Sequence, residues 1–267
     1  MDKEQEALAW QAGVWDRISE IYQREIDARF SPVVEGFARA GVRVGESVLD
    51  LGSGTGAVAC RAAAVVGPGG SVTAVDLSTD MLELARRRAK EAQLTNVDVR
   101  EGRAEEIPAA DASFDVIIAS LSLMYVLDRH RAAEECTRVL RPGGRLVAAV
   151  WAGAEDADIV RFQQTAGAFA PPPPVPGVGP GALADAAAFL AQLTSAGITA
   201  RMDSDIVEFC FDTFAQAWDV LAGVTTANLD AEQRAAAKRA VQEAMWPDPT
   251  VGRVFTNRTQ FIVGTRE

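Results

Sequence analysis

Residues 48–56 read Val48-Leu49-Asp50-Leu51-Gly52-Ser53-Gly54-Thr55-Gly56. The apolar start is typical of a buried strand, and the alternating glycines let the backbone turn tightly and approach a ligand closely. An alanine-rich run that is compatible with a helix follows at 57–66. The stretch therefore predicts a first strand–turn–helix unit whose turn holds a cofactor. The acid before the first glycine and the alternating spacing differ from the Gly-x-Gly-x-x-Gly pattern of nicotinamide and flavin sites.

A second apolar run, residues 72–75, ends in Asp76 at about the distance expected for one strand–helix–strand step. A carboxylate at this place can accept hydrogen bonds from both adjacent hydroxyls of a ribose, a charge-assisted contact that a neutral side chain cannot copy. We therefore expect Asp76 to bind the ribose of the cofactor.

Further blocks complete a series of motifs in order along the chain. They are Glu101-Gly102-Arg103-Ala104-Glu105-Glu106-Ile107-Pro108, Ser113-Phe114-Asp115-Val116-Ile117-Ile118 and Arg138-Val139-Leu140-Arg141-Pro142-Gly143-Gly144-Arg145-Leu146. With these blocks the chain resembles the class I S-adenosylmethionine-dependent methyltransferases, and among them the small-molecule branch that includes the ubiquinone/menaquinone-type C-methyltransferases. The resemblance covers residues 48–151. It implies S-adenosylmethionine as the cofactor and S-adenosylhomocysteine as its product.

The resemblance and the hydrophobic pattern together predict an α/β fold. It is a Rossmann-like sheet of seven strands, mostly parallel with the last strand antiparallel, with N-terminal helices and a helical cap insertion. The expected strands are 47–51, 71–76, 97–101, 114–119, 145–151, 200–209 and 259–265. We expect residues 1–40 to form helices over the cofactor site and 41–152 to form the cofactor-binding half of the core. The remaining expected parts are cap insertions at 153–182 and 211–250 and further core at 183–210 and 251–267.

The resemblance also implies where the cofactor lies. Its methionine end is expected against the glycine turn, where backbone N–H groups favour an anion. Leu77 and Met81 are expected to sandwich the adenine, and Ser120 to lie near the reacting methyl. The complete set of expected cofactor-binding residues is Tyr22, Asp50, Gly52, Ser53, Gly54, Gly56, Asp76, Leu77, Met81, Ala104, Glu105 and Ser120.

Two of these expectations leave alternatives open. Asp50 is expected either to organise the turn or to reach the cationic amino group of the cofactor. Arg103 stands where the family commonly has Asp or Asn, and arginine has no acceptor for the adenine amino group. Recognition of adenine is therefore expected to move to the backbone of Ala104 or to Glu105, unless Arg103 stacks on the base.

No catalytic base is assigned. Methyl transfer from a sulfonium is an in-line displacement, so alignment of the reactants and exclusion of water can suffice. A base is needed only for an acceptor that is still protonated. The single histidine, His130, is expected to serve as a helix start. Tyr125, an acid of the cap and the acidity of the acceptor itself are the other candidates.

Composition limits the partners. The net charge of −11 argues against nucleic acid, and the basic run 86–88 is expected on a solvated helix face. No apolar run reaches the roughly 18 residues of a membrane span, and residues 1–6 are charged and lack a signal-peptide core. Three separated cysteines predict free thiols and no metal site. We expect a cytoplasmic monomer or homodimer that acts on a small molecule.

The expected function is transfer of a methyl group to C, O or N of a small, apolar or aromatic metabolite, either a quinone precursor or a secondary metabolite. The alternative is a protein of the same fold that binds S-adenosylmethionine without net methyl transfer, as a cyclase-like or hydroxylase-like enzyme or as a noncatalytic regulatory module. A nicotinamide oxidoreductase is disfavoured by the glycine spacing.

Overall fold

A mixed sheet of seven strands forms the centre of the molecule. The computed structural model describes residues 3–30 and 39–267. The strands are β1 Ser47–Leu51, β2 Ser71–Asp76, β3 Val97–Glu101, β4 Phe114–Ser120, β5 Leu140–Trp151, β6 Ile198–Phe211 and β7 Arg253–Arg266. Their spatial order is β3-β2-β1-β4-β5-β7-β6, and β7 runs antiparallel to both of its neighbours. The predicted fold class is therefore confirmed.

Helices cover both faces of this sheet. The first, α1, spans Lys3–Ile21 and continues through a π-helical turn at Tyr22–Ile26 and a last turn at Asp27–Arg29. The others are α2 Ala57–Val66, α3 Thr79–Glu91, α4 Arg129–Val139, α5 Asp158–Gly167, α6 Ala187–Ser195, α7 Phe214–Leu221, α8 Gly223–Thr226 and α9 Ala231–Met245. Within the described residues, none of these helices combines the length and the apolar character that crossing a bilayer requires.

The central strands are buried on both faces, which explains their continuous apolar sequence. Successive residues of a strand point to opposite faces, so each strand contributes to two cores. Val48 and Val72 belong to a smaller cluster with α2, whereas Leu49 and Leu51 belong to a larger cluster that extends under the C-terminal helices. Packing on both faces fixes these strands, and the carboxyl ends of β1, β2 and β4 lie at the same edge of the sheet.

Polar caps fix where the helices that flank this edge begin. Ser78 accepts a hydrogen bond from the Met81 N–H at the start of α3, and Asp128 accepts one from the Arg131 N–H at the start of α4. Such caps stabilise a helix start by about 0.5–2 kcal/mol. They place the first turns of α3 and α4 next to the ends of β2 and β4.

The fifth strand begins earlier than the sequence predicts. The sequence predicts the strand over 145–151, but Leu140 already pairs with Phe114. The register then shifts between Phe114 and Val116, and Val116 pairs with Arg145. The segment Pro142-Gly143-Gly144 therefore forms an irregularity inside β5, because the strand resumes in the same sheet beyond it.

The last two strands are longer than predicted, because they pair with each other over their full length and beyond the end of β5. Their extension carries an aromatic cluster against the cap helices. Phe255 lies 5.3 Å from Phe211, 5.9 Å from Trp246 and 6.1 Å from Phe162, measured between ring centroids. The buried side chain of Asn257 accepts a hydrogen bond from the Ile159 N–H at 2.8 Å and so fixes the start of α5.

We predict that Gly56→Ala destabilises the protein more than Gly67→Ala. Both glycines have positive φ, Gly56 at +77° in the left-handed region and Gly67 at +68° with an extended ψ of −169°, and each conformation strains an alanine by about 1–3 kcal/mol. A Cβ at Gly56 would also lie 2.8 Å from the Ala85 Cβ, whereas at Gly67 it meets nothing within 4 Å. Overpacking adds about 1–3 kcal/mol. Urea unfolding of both variants measures the difference, and equal losses would refute the close packing of the turn on α3.

Candidate active site

A cavity lies at the carboxyl ends of β1, β2 and β4, and we call it the strand-end cavity. It is lined by Leu8, Gln11, Trp15, Tyr22, Leu51, Gly52, Gly54, Val75, Asp76, Leu77, Met81, Gly102, Arg103, Ala104, Glu105, Ser120, Leu121, Ser122, Leu123, Tyr125 and Val126. The structure thus brings nine of the twelve expected cofactor residues into one lining. These nine are Tyr22, Gly52, Gly54, Asp76, Leu77, Met81, Ala104, Glu105 and Ser120.

The other three expected residues lie behind the turn. Asp50 and Ser53 are buried, with 1% and 8% of their surface exposed. Gly56 is the residue that precedes the first turn of α2. None of the three is part of the lining given above, so any contact between them and a cofactor stays a prediction.

The glycine turn is held tightly between two strands. The N–H groups of Gly52 and Ser53 donate to the Val75 carbonyl at 2.8 and 2.9 Å. A Cβ on Gly52 would lie 2.3 Å from the Cβ of Ser122, whose hydroxyl donates to the Leu51 carbonyl at 2.7 Å. Since Gly52 also has φ +72°, only glycine suits this position. The turn therefore presents backbone rather than side chains to the cavity.

Asp76 is fixed by backbone hydrogen bonds to both of its oxygens. Oδ2 accepts from the Gly54 N–H at 2.8 Å, and Oδ1 accepts from the Ser78 N–H at 2.9 Å. Burial raises the pKa of Asp76, and these backbone donors oppose the rise. Each carboxylate oxygen can accept a further hydrogen bond. The side chain is thus oriented to accept from two ligand hydroxyls.

Asp50 lies beneath the same turn and accepts a hydrogen bond from the Ala59 N–H in the first turn of α2. Its Oδ2 has no partner among the described residues. Burial raises the pKa of Asp50 to about 7, the Ala59 bond lowers it, and the nearby Asp76 raises it further. The Ala59 contact supports the role of Asp50 in organising the turn.

The N-terminal helix closes one side of the cavity. Asp16 accepts a hydrogen bond from the Ser78 hydroxyl at 2.5 Å. At the end of the helical segment, Asp27 accepts a hydrogen bond from the Thr55 hydroxyl at 2.7 Å and forms an ion pair with Arg88. The basic run 86–88 is therefore more than a solvated face, because its last member ties the helical segment to α3.

Arg103 and Glu105 line the cavity but are bound to other protein groups. Arg103 donates to Glu4 at 2.5 Å, which links the start of α1 to the loop after β3. Glu105 is buried, and its Oε1 accepts from the N–H groups of Leu127 and Asp128 at 2.9 and 3.2 Å. The Glu105 carboxylate thus positions the segment before α4. The expected alternatives for binding adenine were the Ala104 backbone, Glu105 and Arg103. Of these, the Ala104 backbone is the one for which no such bond to another protein group is described above.

The candidate bases differ in position. His130 has 55% of its side chain exposed, lies 3.7 Å from Glu134 on α4 and is absent from the lining of the strand-end cavity. Its place in the first turn of α4 agrees with the helix-start interpretation. Tyr125 lines the cavity, and burial raises its pKa above the ordinary value. Its hydroxyl is therefore protonated near neutral pH and can donate a hydrogen bond.

A second cavity adjoins the first, and we call it the cap cavity. It is lined by Trp10, Gln11, Val14, Trp15, Tyr125, Gln163, Gln164, Gly167, Ala168, Ala170, Pro171, Pro173, Val178, Gly179, Pro180, Val224 and Thr225. Gln11, Trp15 and Tyr125 line both cavities. The Trp15 and Tyr125 rings meet edge to face with centroids 4.9 Å apart. None of the described residues in the lining of the cap cavity carries a charged side chain.

Several lining residues are absent from the sequence-based set. Leu121 to Leu123 follow β4, and loops at the carboxyl ends of strands are where open α/β sheets bind ligands, so their position was a usable signal. Leu121 also has φ +57°, a strained value for this residue type. Gln11 carries no such signal, because its role follows from a long-range hydrogen bond to the Tyr125 carbonyl at 2.7 Å.

Residues 49–148 match a family model described as a methyltransferase domain, and the sheet order, the glycine turn and the acid at the end of β2 agree with that match. In this region the chain resembles the ubiquinone/menaquinone biosynthesis C-methyltransferase UbiE of Haemophilus ducreyi, with 38% identity over 109 residues. That alignment covers 40% of this chain and 42% of the relative, less than half of either.

Solved structures share the fold over most of the chain. The YcgJ protein of Bacillus subtilis has a TM-score of 0.64 at 20% identity, over 88% of this chain and 97% of its own. Geranyl diphosphate C-methyltransferase from Streptomyces coelicolor A3(2), solved with Mg2+, geranyl diphosphate and S-adenosyl-L-homocysteine, has a TM-score of 0.53 at 18% identity, over 89% of this chain and 78% of its own.

S-adenosylmethionine is the cofactor that the resemblance implies, and the residues present fit it. The turn offers backbone N–H groups, and no Cβ obstructs the approach at Gly52 or Gly54. The buried Asp50 Oδ2 and Ser53 Oγ have no partner among the described residues, so polar groups at the turn are left for a ligand or its hydration. The Asp76 carboxylate is oriented to accept from the two hydroxyls of a ribose, and this contact stays a prediction.

We predict that Asp76→Asn weakens binding of S-adenosylhomocysteine. Both oxygens of Asp76 accept backbone hydrogen bonds, and an amide keeps only one acceptor, so the variant loses charge-assisted contacts worth about 1.5–3 kcal/mol each. Calorimetric titration measures the affinity. Asp80→Asn is the matched control, because it removes the same charge from an exposed position on α3. Equal affinities for the two folded variants would reject the role of Asp76.

We predict that Asp50→Asn changes the pH dependence of stability. With its folded pKa raised from 3.8 to about 7, Asp50 keeps a proton over a range in which the unfolded chain has lost it. This contribution to the unfolding free energy is present at low pH and is lost as pH rises through about 7. Wild type should therefore lose stability relative to the variant between pH 4 and pH 8, as measured by urea unfolding. Parallel pH profiles would refute the shift.

Proposed function

We propose that this protein transfers the methyl group of S-adenosylmethionine to a carbon, oxygen or nitrogen atom of a small, apolar or aromatic metabolite. The observation that carries the proposal is the shared wall of two cavities. The strand-end cavity has the residues that fit the cofactor, and the cap cavity adjoins it through Gln11, Trp15 and Tyr125. An acceptor in the cap cavity would lie next to the reacting end of the cofactor.

The protein's part in the reaction is positioning. Asp76 and the glycine turn orient the cofactor, and the aromatic pair Trp15 and Tyr125 lies where donor and acceptor meet. The N-terminal helix covers the strand-end cavity and limits access of water. Alignment of nucleophile, methyl carbon and sulfur inside a closed site is the main requirement of this displacement. The bound sulfonium supplies the methyl group.

The chemical class of the acceptor is proposed from the residues of the cap. Segments 153–182 and 211–250 are proposed to act as the cap, and the family match at 49–148 does not include them. The UbiE relative is named for quinone biosynthesis, which supports a quinone precursor as one candidate, and a secondary metabolite is the other. A diphosphate such as that of the Streptomyces neighbour is disfavoured, because the lining of the cap cavity offers no cation among the described residues.

Deprotonation, where an acceptor needs it, is proposed to come from the acceptor's own acidity. Burial raises the pKa of Tyr125, so this hydroxyl suits donation of a hydrogen bond better than removal of a proton. His130 is half exposed on α4. The cytoplasmic location, the absence of a nucleic-acid partner and the monomeric or dimeric state stay predictions.

The test is a product assay with S-adenosylmethionine and a panel of neutral quinols, naphthols and alkylphenols. We predict that S-adenosylhomocysteine and a methylated product form in equal amounts, as measured by mass spectrometry. His130→Gln should turn over at the wild-type rate, because His130 lies outside the lining of both cavities. Asp76→Asn should need more cofactor for the same rate. A converted acceptor without S-adenosylhomocysteine would instead show a reaction without net methyl transfer.

A further inference from the structure

Two unpartnered polar side chains lie in the apolar lining of the cap cavity. Gln163, on α5, is only 6% exposed, and its Oε1 has no hydrogen-bond partner among the described residues. Thr225, on α8, has a buried Oγ1 that likewise lacks a partner within the part of the chain that the structure describes. Both residues line the cap cavity, and the helices α5 and α8 pack against each other.

Such groups are unfavourable in a free protein. A buried polar atom that has given up water without gaining a partner destabilises the folded state, and most buried polar groups in proteins are therefore paired. Asn257 and Thr226, which are buried nearby, follow this rule, since Asn257 bonds to Ile159, Val207 and Phe255 and the Thr226 hydroxyl donates to the Ala222 carbonyl. Other described residues also have a buried atom without a partner, but Gln163 and Thr225 are the two of them that line the cap cavity. Their shared position points to a ligand that supplies the missing bonds.

The rest of the lining restricts what the ligand can be. Trp10, Trp15, Pro171, Pro173 and Pro180 form apolar walls. An ionised ligand group would lose its hydration there without meeting an opposite charge among the described lining residues. The ligand that fits is uncharged and mostly apolar, with a polar hydrogen to donate to the Gln163 Oε1.

We infer that Gln163 and Thr225 select a neutral, ring-bearing acceptor through one hydroxyl group. The hydroxyl donates to the Gln163 Oε1 and accepts from the Thr225 hydroxyl. Since Trp15 and Tyr125 border the same cavity on the cofactor side, binding of this hydroxyl sets which atom of the acceptor faces the methyl donor. The inference rests on the proposed function, to which it adds the class of acceptor and the residues that choose it.

Binding of three matched probes tests the inference without methyl transfer. Equilibrium dialysis of the full chain, saturated with S-adenosylhomocysteine, is carried out with 1-naphthol, naphthalene and 1-naphthoate. We expect 1-naphthol to bind about tenfold tighter than naphthalene, because a site built for a hydroxyl rejects the analogue that lacks it. We expect 1-naphthoate to bind more weakly than either. A naphthoate affinity equal to that of naphthol would overturn the inference.

Variants assign the preference to the two side chains. Gln163→Leu should lose about tenfold in naphthol affinity and keep its naphthalene affinity, so that the preference disappears. Thr225→Val should lose part of the preference for naphthol over naphthalene. Gln192→Leu is the control, since it makes the same change on α6, which contributes no residue to the cavity lining. A Gln163→Leu protein that retains the full preference would refute the assignment.

A stability measurement separates loss of binding from loss of folding. Gln163→Leu removes a buried atom that has no partner, so its thermal midpoint should equal or exceed that of wild type in the absence of acceptor. A lower midpoint would show that the amide is part of the folded core and would reject its role toward a ligand. Intact naphthol selection without any methylated product would reject the proposed function while leaving this inference standing.

Discussion

The carboxylate of Asp76 connects the parts from which the site is built. Its two oxygens accept N–H bonds from Gly54 in the first glycine turn and from Ser78 at the start of α3. Ser78 in turn donates its hydroxyl to Asp16 of the N-terminal helix. One carboxylate thus links two strand–helix units and the helix that covers them. Because both oxygens are held by backbone, the acid keeps its orientation whether or not a ligand is bound.

The N-terminal helical segment is held by side-chain contacts at its two ends as well as at Asp16. Glu4 bonds to Arg103 near one end, and Asp27 bonds to Thr55 and Arg88 at the other. An exposed ion pair is worth little by itself, about 0–1 kcal/mol, so placement of the segment depends on several contacts acting together. Their common result is that Gln11 and Trp15 line both cavities.

The sequence predicts the framework better than the cap, and the reason is physical. The ends of β1, β2 and β3 agree with the expected ranges, because β1 and β2 are short, mostly apolar runs, β3 begins with alternating apolar and polar residues, and turns bound all three, a pattern that local sequence determines. The extra length of β6 and β7 could not be predicted from local sequence, since it depends on pairing between distant segments. The same holds for the site. Asp76 follows from a motif, whereas Gln11 and Gln163 acquire their places only through packing of the N-terminal helix and the cap.

In the proposed function, selection of cofactor and selection of acceptor belong to different parts of the chain. Most of the expected cofactor residues lie within 49–148, where the match to a methyltransferase domain is found, and positive φ restricts the glycines among them. The cap cavity is instead lined by side chains of α1, α5, α8 and the proline-rich segment 171–180, and α5 also packs on the aromatic cluster through Phe162. Substitutions of lining residues that the strand-end cavity does not share, such as Gln163 and Thr225, can change the shape and polarity of the cap cavity without touching Asp76 or the turn. A fold with this division can keep one methyl donor while its acceptor changes, and the acceptor must be inferred from the cap.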